Sequence, residues 1–252
     1  MFDFLDLKDK RILITGASSG IGRETAILLS KLGVKTILVA RDEGRLIETM
    51  GALEGDDHSY YIHDFTDIAG VEELIQRIVS DGGKLNGFVH SAGITKEMPL
   101  PLVDFNSLHE IMLVNFYAFM ELSRIFAKKR INDNGGSIVV MSSNASFIGA
   151  KALSAYCASK SAVDGAVRAL ALELHPKGIR VNSVVPGGVR TPMTNKYFEE
   201  FGDTEAVAFT MAKQYMGIIE PLYIANAAAF LLSNASFYIN GRAFPVDAGS
   251  LT

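Results

Sequence analysis

The sequence predicts a single α/β domain, a doubly wound parallel sheet of seven strands with helices on both faces. Short runs of valine, isoleucine and leucine alternate along the chain with longer segments whose apolar residues recur every three to four positions. Strands made of continuous apolar runs are buried on both faces, which is typical of parallel sheets covered by helices. Right-handed crossovers between such strands favour the doubly wound arrangement.

The same patterns place each element in chain order. The predicted strands are Arg11–Ile14, Thr36–Ala40, Ser59–His63, Gly87–Ser91, Ser137–Ser142, Arg180–Val185 and Ala243–Val246. The predicted helices lie at about Ile21–Leu32, Leu46–Leu53, Val71–Ile78, Ser107–Lys129, Ser154–His175 and Leu222–Leu232. No repeat or linker interrupts them, so residues 1–252 are expected to form one domain.

The stretch from Pro186 to Gly217 has a looser pattern than the rest of the chain. Within it, residues 193–216 are rich in methionine and phenylalanine. Such a segment is expected to form a flexible cover over the substrate, with ordinary core packing as the alternative. On the first interpretation, Met193 would contact a ligand bound beneath the segment.

Composition narrows the classes of partner and location. The chain has 252 residues and a formal net charge of −4 at pH 7, with no long run of either sign. This balance argues against nucleic acid or an anionic membrane as the main partner. Cys157 is the only cysteine and the five histidines lack ligand spacing, so neither a disulfide nor a metal site is expected. The charged N-terminal segment and the lack of a bilayer-length apolar run predict a cytoplasmic enzyme.

A glycine-rich loop follows the first predicted strand and precedes the first predicted helix. It reads Thr-Gly-Ala-Ser-Ser-Gly-Ile-Gly and covers residues 15–22. Glycines at this point permit a tight turn and a close approach of the backbone to a pyrophosphate, which the N–H groups of the helix then bind. The hydroxyl groups of Ser18 and Ser19 add further donors. The context predicts a Rossmann-type dinucleotide site.

Further motifs give the chain a resemblance to the compact branch of the short-chain dehydrogenase/reductase family, from Lys10 to the C-terminus. Ser91-Ala92-Gly93 is similar to the last three residues of the family's Asn-Asn-Ala-Gly motif, in which His90 takes the first position. The resemblance implies that Asp64 meets the adenine and that the loop from Pro186 to Thr191 covers the nicotinamide. His90 is expected to brace the sheet rather than to take part in catalysis.

The resemblance also implies a catalytic set of four residues: Asn115, Ser143, Tyr156 and Lys160. Tyr156 and Lys160 lie four positions apart in a predicted helix and therefore share a face. A lysine ammonium and an oxidised nicotinamide would lower the pKa of the phenol toward neutrality, so that Tyr156 could exchange protons. Ser143 is expected to bind the substrate oxygen. The resemblance implies that Asn115 kinks its helix and holds a water that links Lys160 to solvent.

The cofactor is predicted to be NADP, with NAD as the alternative. NAD-binding chains carry an acidic residue at the end of the second strand, where this chain has Ala40 followed by Arg41. A guanidinium suits the 2′-phosphate of NADP, although Asp42 could instead bind a ribose diol. The predicted cofactor-binding residues are Gly16, Ser18, Ser19, Gly20, Ile21, Arg41, Asp64, Phe65, Ser91, Ala92, Gly93, Tyr156, Lys160, Pro186, Gly187, Val189 and Thr191.

The predicted activity is hydride transfer between a nicotinamide and a carbonyl or secondary alcohol. A 3-oxoacyl thioester, a sugar or polyol, and a hydroxysteroid remain open as substrates, and the broad resemblance to 3-oxoacyl reductases favours the first. The alternative is a catalytically silent dinucleotide sensor or scaffold on the same fold. The resemblance also implies a homo-oligomer, a tetramer or dimer, built through the long helices and the C-terminal region.

Overall fold

The computed structural model describes residues 4–201 and 212–252. Its centre is a seven-stranded parallel sheet with the order β3-β2-β1-β4-β5-β6-β7. The strands are β1 (Arg11–Thr15), β2 (Lys35–Ala40), β3 (Ser59–Ile62), β4 (Leu85–His90), β5 (Asn132–Met141), β6 (Ile179–Pro186) and β7 (Ala243–Val246). The order reverses between β1 and β4, so the carboxyl ends of these strands flank the position where open α/β sheets bind ligands. The predicted Rossmann-type fold is confirmed.

Eight α-helices are described. They are α1 (Gly20–Lys31), α2 (Glu43–Met50), α3 (Val71–Gly82), α4 (Phe105–Met112), α5 (Ala118–Phe126), α6 (Ser154–Leu174), α7 (Pro192–Phe201) and α8 (Pro221–Leu232). No helix within residues 4–201 and 212–252 has both the length and the apolar character needed to span a membrane.

Alternation along the strands divides the core into two layers. Leu13 of β1 packs with α3, α5 and α6 on one face of the sheet. Its neighbours Ile12 and Ile14 pack with α1, α2 and α8 on the other face. Because successive side chains of a strand point to opposite faces, the unbroken apolar runs of the sequence supply both layers at once.

The prediction of one long helix over Ser107–Lys129 is wrong in its details, although a helix does form there. It begins at Phe105, where the Asp104 carboxylate accepts a hydrogen bond from the backbone N–H of Ser107 at 2.7 Å. A π-helical turn at Leu113–Tyr117 then separates α4 from α5, and α5 ends at Phe126. The π turn surrounds Asn115, consistent with the expected distortion at that residue. Helical turns of this kind are frequent at functional sites.

Other boundaries also differ from the prediction. The second helix starts at Glu43, before the predicted Leu46, because Asp42 caps it. β5 starts at Asn132 rather than Ser137. Its first half contains two glycines at positive φ and lacks the apolar residues by which a strand is recognised in the sequence. The stretch predicted to be loose contains α7, which opens with Pro192 in its first turn. Of the predicted cover over 193–216, residues 202–211 lie outside the described part.

Candidate functional site

Two adjoining cavities lie at the carboxyl edge of the sheet. The larger has a volume of about 340 Å³ and extends from the glycine loop after β1 to the ends of β2 and β3. The smaller has a volume of about 120 Å³ and lies at the ends of β5 and β6, against the start of α6. They share five lining residues: Ile21, Ser91, Gly93, Thr191 and Met193. Together they form one bent trough across the switch point of the sheet.

The glycine loop forms the wall of the larger cavity beside α1. Gly16 has a φ of +67°, and a Cβ added there would lie 2.7 Å from the backbone nitrogen of Ala92. A Cβ on Gly22 would collide with the carbonyl oxygen of Gly16. Within the described residues, the Ser19 side chain does not cap α1, although Ser19 occupies the N-cap position. The first N–H groups of α1 are therefore available to a ligand, which is the arrangement that binds phosphate groups.

A buried histidine joins the two strands at the switch point. The Nδ1 of His90 lies 2.9 Å from Thr15 Oγ1, and its Nε2 lies 3.1 Å from the carbonyl oxygen of Val114. Thr15 Oγ1 in turn accepts hydrogen bonds from the backbone N–H groups of Ser91 and Ala92. Burial, helped by the charge of Lys160, lowers the pKa of His90 to about 3. The predicted bracing role of His90 is confirmed.

The far end of the larger cavity carries two arginines. Arg41 and Arg45 both line it, and Arg41 Nη1 lies 3.5 Å from the Asp64 carboxylate. Burial acts to raise the pKa of Asp64, but hydrogen bonds from Thr66 and the charge of Arg41 bring it below its ordinary value. Asp42 also lines the cavity, but its carboxylate caps α2 by accepting from the backbone N–H of Arg45 at 3.0 Å.

The smaller cavity brings Ser143, Tyr156 and Lys160 together. Lys160 is 5% exposed, and its ammonium donates to the carbonyl oxygen of Met141 at 2.8 Å. The Lys160 Nζ lies 5.7 Å from the centre of the Tyr156 ring. Ser143 follows β5, and its hydroxyl oxygen accepts from the backbone N–H of Ala145 at 3.1 Å. The three side chains can therefore reach one small molecule.

Burial governs the protonation of this group. It raises the pKa of Tyr156 above its usual value, while a hydrogen bond with Ser143 acts in the opposite direction. It also lowers the pKa of Lys160 to about 8. Among the protein's own groups, withdrawal of the phenol from water outweighs the favourable interactions, and the lowering expected beside an oxidised nicotinamide stays a prediction. Near neutral pH Tyr156 holds its proton and Lys160 is mostly an ammonium.

Asn115 is fully buried and links three parts of the site. Its Oδ1 accepts from the backbone N–H of Ile94 at 2.8 Å, and its Nδ2 donates to the carbonyl oxygen of Ile94 and to Ser159 Oγ, both at 3.0 Å. The side chain thus ties the loop after β4 to α6 beside Lys160. Both amide hydrogens are used in these contacts, and the proposed water link stays a prediction.

All the predicted cofactor-binding residues line one or both cavities. The prediction missed several lining residues at the two ends of the trough: Arg45, Met141, Ser142, Pro192 and Thr194. Of these, Arg45 had a readable signal. It lies three residues after the capping Asp42, and residues three apart on a helix are neighbours.

Comparisons with known proteins agree with this geometry. The family model described as enoyl-(acyl carrier protein) reductase matches residues 16–250. The 3-oxoacyl-[acyl-carrier-protein] reductase FabG of Rickettsia prowazekii is 34% identical over 98% of this chain and 99% of its own. The L-xylulose reductase of Caenorhabditis elegans is 32% identical over 97% of this chain and 96% of its own.

A solved structure extends the similarity to the whole fold. It is a Beutenbergia cavernae protein provisionally described as an NAD(P)-dependent gluconate 5-dehydrogenase, with NADP bound at low occupancy. Its TM-score is 0.89 at 31% identity, and the match covers 98% of each chain. With the glycine loop, the trough and the Tyr156–Lys160 pair in place, the chain belongs to the short-chain dehydrogenase/reductase family and is an NAD(P)-dependent oxidoreductase that acts on carbonyl or secondary alcohol groups.

Proposed function

We propose that this enzyme reduces the carbonyl group of a small molecule, with Tyr156 as the proton donor. The observation that carries the proposal is the smaller cavity, where a protonated phenol, a serine hydroxyl and a buried ammonium line one space. A phenol that keeps its proton near neutral pH is in the form that protonates an oxygen as it gains negative charge. The arrangement therefore supports proton donation by Tyr156 in the reductive direction.

Each side chain has a distinct part in this proposal. The Ser143 hydroxyl donates to Asn144 Oδ1 at 3.3 Å, and in the proposal the substrate oxygen takes the place of that acceptor. Tyr156 transfers its proton to the same oxygen, and the Lys160 ammonium stabilises the phenolate that is left. Asn115 keeps the loop after β4 in register with α6. When bound, a nicotinamide supplies the hydride in reduction or takes it up in oxidation.

The trough fits a nicotinamide dinucleotide. Its glycine loop lies beside the open N-terminus of α1, where a pyrophosphate would be held by Ser18, Ser19 and Ile21. Asp64 and Phe65 would meet the adenine, and Lys160 would hold the nicotinamide ribose. Gly93 and Gly187 line the smaller cavity without placing a side chain in it, which leaves space for the nicotinamide ring.

The preferred cofactor in this proposal is NADP. Arg41 and Arg45 line the cavity at the end where the adenosine ribose would lie, and their side chains are 61% and 60% exposed. Two guanidinium groups suit a 2′-phosphate dianion. Asp42, the carboxylate that could bind a ribose diol, is engaged as the cap of α2.

Replacing Arg41 by alanine tests the preference. We expect the KM for NADPH to rise about tenfold or more, while the KM for NADH changes less than about twofold, since a charge-assisted hydrogen bond contributes about 1.5–3 kcal/mol. Arg23→Ala is the matched control, because Arg23 is an exposed arginine of α1 outside the set that lines the trough. Equal small changes for both cofactors would remove Arg41 from the phosphate site.

For the substrate we propose a 3-oxoacyl thioester, with a sugar or polyol as the second candidate. The FabG relative is a 3-oxoacyl-[acyl-carrier-protein] reductase by name, and the methyl thioether of Met193 gives both cavities an apolar lining. The xylulose reductase relative supports the second candidate. Initial rates of NADPH consumption with acetoacetyl-coenzyme A and with a ketose distinguish them, and a higher kcat/KM for the ketose would reject the thioester.

We also propose that the chain forms a tetramer. Large apolar side chains are exposed on the surface of α4, the π turn and α6, including Phe105 at 75%, Tyr117 at 38% and Leu172 at 81%. Exposed apolar groups on long helices are typical of subunit contacts. Light scattering on the purified protein is expected to give four times the chain mass of 27.3 kDa. A mass of one chain would contradict the proposal.

A further inference from the structure

A carboxylate is buried one helical turn beyond the catalytic lysine. Asp164 lies on α6, four residues after Lys160, and is 5% exposed. Its Oδ2 accepts from the Ser142 hydroxyl at 2.9 Å, and its Oδ1 accepts from the Ser183 hydroxyl at 2.7 Å. Both oxygens are therefore fixed by hydroxyl groups, one directly after β5 and one on β6. A charge withdrawn from water to this extent is costly unless neighbouring groups compensate for it.

The carboxylate is coupled to Lys160 through both charge and structure. Ser142, which donates to Asp164, is the residue after Met141, whose carbonyl oxygen accepts from the Lys160 ammonium. Burial acts to lower the pKa of Lys160, and the charge of Asp164 acts against that effect. The charge of Asp164 therefore acts against deprotonation of Lys160, which the site requires as an ammonium.

The other groups around Lys160 supply no negative charge. His90, on β4, is neutral across the physiological range because its pKa is lowered to about 3. Tyr156, on α6, is a protonated phenol with a raised pKa. The π turn presents the amide of Asn115, β5 presents the Met141 carbonyl, and the residues directly after β5 present serine hydroxyl groups. Within the part of the chain that the structure describes, the negative charge that faces Lys160 therefore comes from the carboxylate of Asp164.

We propose that Asp164 is a positioning residue that keeps Lys160 in its ammonium form, with Ser142 and Ser183 holding the carboxylate in place. The inference rests on the proposed role of Lys160, since an ammonium is what stabilises the Tyr156 phenolate. Removal of the negative charge lets the lysine lose its proton at lower pH. It also lowers the pH at which Tyr156 and Lys160, which titrate as a pair, lose their first proton.

The experiment compares the pH dependence of kcat/KM for NADPH-dependent reduction in the wild type, Asp164→Asn and Ser183→Ala. Asparagine keeps the size and hydrogen-bonding capacity of Asp164 but removes its charge. Alanine at 183 removes one donor and leaves the charge. We expect the alkaline limb of the Asp164→Asn profile to move to lower pH by about one unit or more, as expected for loss of a nearby charge. The limb for Ser183→Ala is expected to stay within about 0.3 units of the wild type.

A second pair of variants guards against misfolding of Asp164→Asn. Asp164→Ser removes the charge with a smaller side chain, and adding Ser183→Asp returns a carboxylate to the other side of the same 2.7 Å hydrogen bond. The double variant is expected to restore the alkaline limb toward its wild-type position. Superimposable profiles for the wild type and the neutralised variants, an equal shift in Ser183→Ala, or a double variant that behaves like Asp164→Ser would each overturn the inference.

The same assays separate this inference from the proposed function. If Tyr156→Phe loses activity while the neutral variants at 164 show no shift, the inference about Asp164 is rejected and the function stands. If Tyr156→Phe is fully active, the proposed function fails whatever the profiles of the Asp164 variants show.

Discussion

Replacing Tyr156 by phenylalanine is expected to lower kcat for carbonyl reduction by about a hundred- to ten-thousand-fold, the usual contribution of a general acid. The ring remains to pack beside Lys160, whose ammonium lies 5.7 Å from its centre, but the proton donor is gone. Steady-state rates at saturating NADPH measure the loss. The remaining rate reports what Ser143 and the positioning of the reactants contribute without proton transfer.

The dissociation constant for NADPH separates a chemical effect from a structural one. It is expected to change less than about threefold in Tyr156→Phe, because one hydroxyl is removed from the small end of an extended trough. Tyr223→Phe is the matched control, since Tyr223 is 61% exposed on α8. A Tyr156→Phe enzyme that retains wild-type kcat would contradict the assignment, and a wild type that binds NADPH but reduces no carbonyl would favour a dinucleotide sensor.

Replacing His90 by asparagine is expected to make the fold less sensitive to acid. In the folded chain the pKa of His90 is about 3, whereas an exposed histidine in the unfolded chain has a pKa of about 6.5. Below about pH 6.5 the unfolded state binds a proton at His90 that the folded state does not bind. The free energy of unfolding therefore falls as the pH falls from about 6.5 toward about 3. The loss is about 1.4 kcal/mol per pH unit, or about 2 kcal/mol between about pH 7 and about pH 5.

Urea unfolding at these two pH values measures the effect. The asparagine introduced by His90→Asn is able to donate to the carbonyl oxygen of Val114 or to bond with Thr15, but it does not titrate. The variant is therefore expected to have lower stability at neutral pH and a pH dependence smaller by about 2 kcal/mol. His175→Asn, at an exposed position after α6, serves as the control. An unchanged pH dependence in the His90 variant would show that the fold does not lower the pKa of His90.

Features of the site that depend on local spacing could be predicted from the sequence. The glycine loop follows a strand directly, and a tyrosine and a lysine four apart in a helix must share a face. The resemblance to the short-chain dehydrogenase/reductase family, together with the carboxyl edge of the sheet, then assigns the loop, Ser143 and the two helical residues to one trough. These contacts were readable because each needs only an element type and a position within it.

Features that depend on partners distant in the chain could not be predicted in the same way. The π turn forms where Asn115 bonds to Ile94 and Ser159, and neither partner is a neighbour of Asn115 in sequence. The raised pKa of Tyr156 follows from burial, which spacing does not reveal. Arg45 is the exception, because its partner Asp42, which starts α2 one turn earlier than the apolar pattern indicates, lies only three residues away.

The burial of Asp164 likewise could not be predicted from the sequence. As a charged residue within an amphipathic helix, it resembles a solvated side chain in the sequence, and only the packing of α6 on β5 and β6 shows that it is buried. Its partners are far apart in sequence: Ser142 follows β5 directly, and Ser183 lies on β6. The carboxylate therefore becomes visible as part of the site only when the sheet is assembled.

A crystal structure of the enzyme with NADPH tests the central claim most directly. The account predicts density for the pyrophosphate at the N-terminus of α1 and for the nicotinamide in the smaller cavity, in contact with Tyr156 and Lys160. A dinucleotide bound elsewhere on the chain, or a nicotinamide directed away from Tyr156, would contradict it.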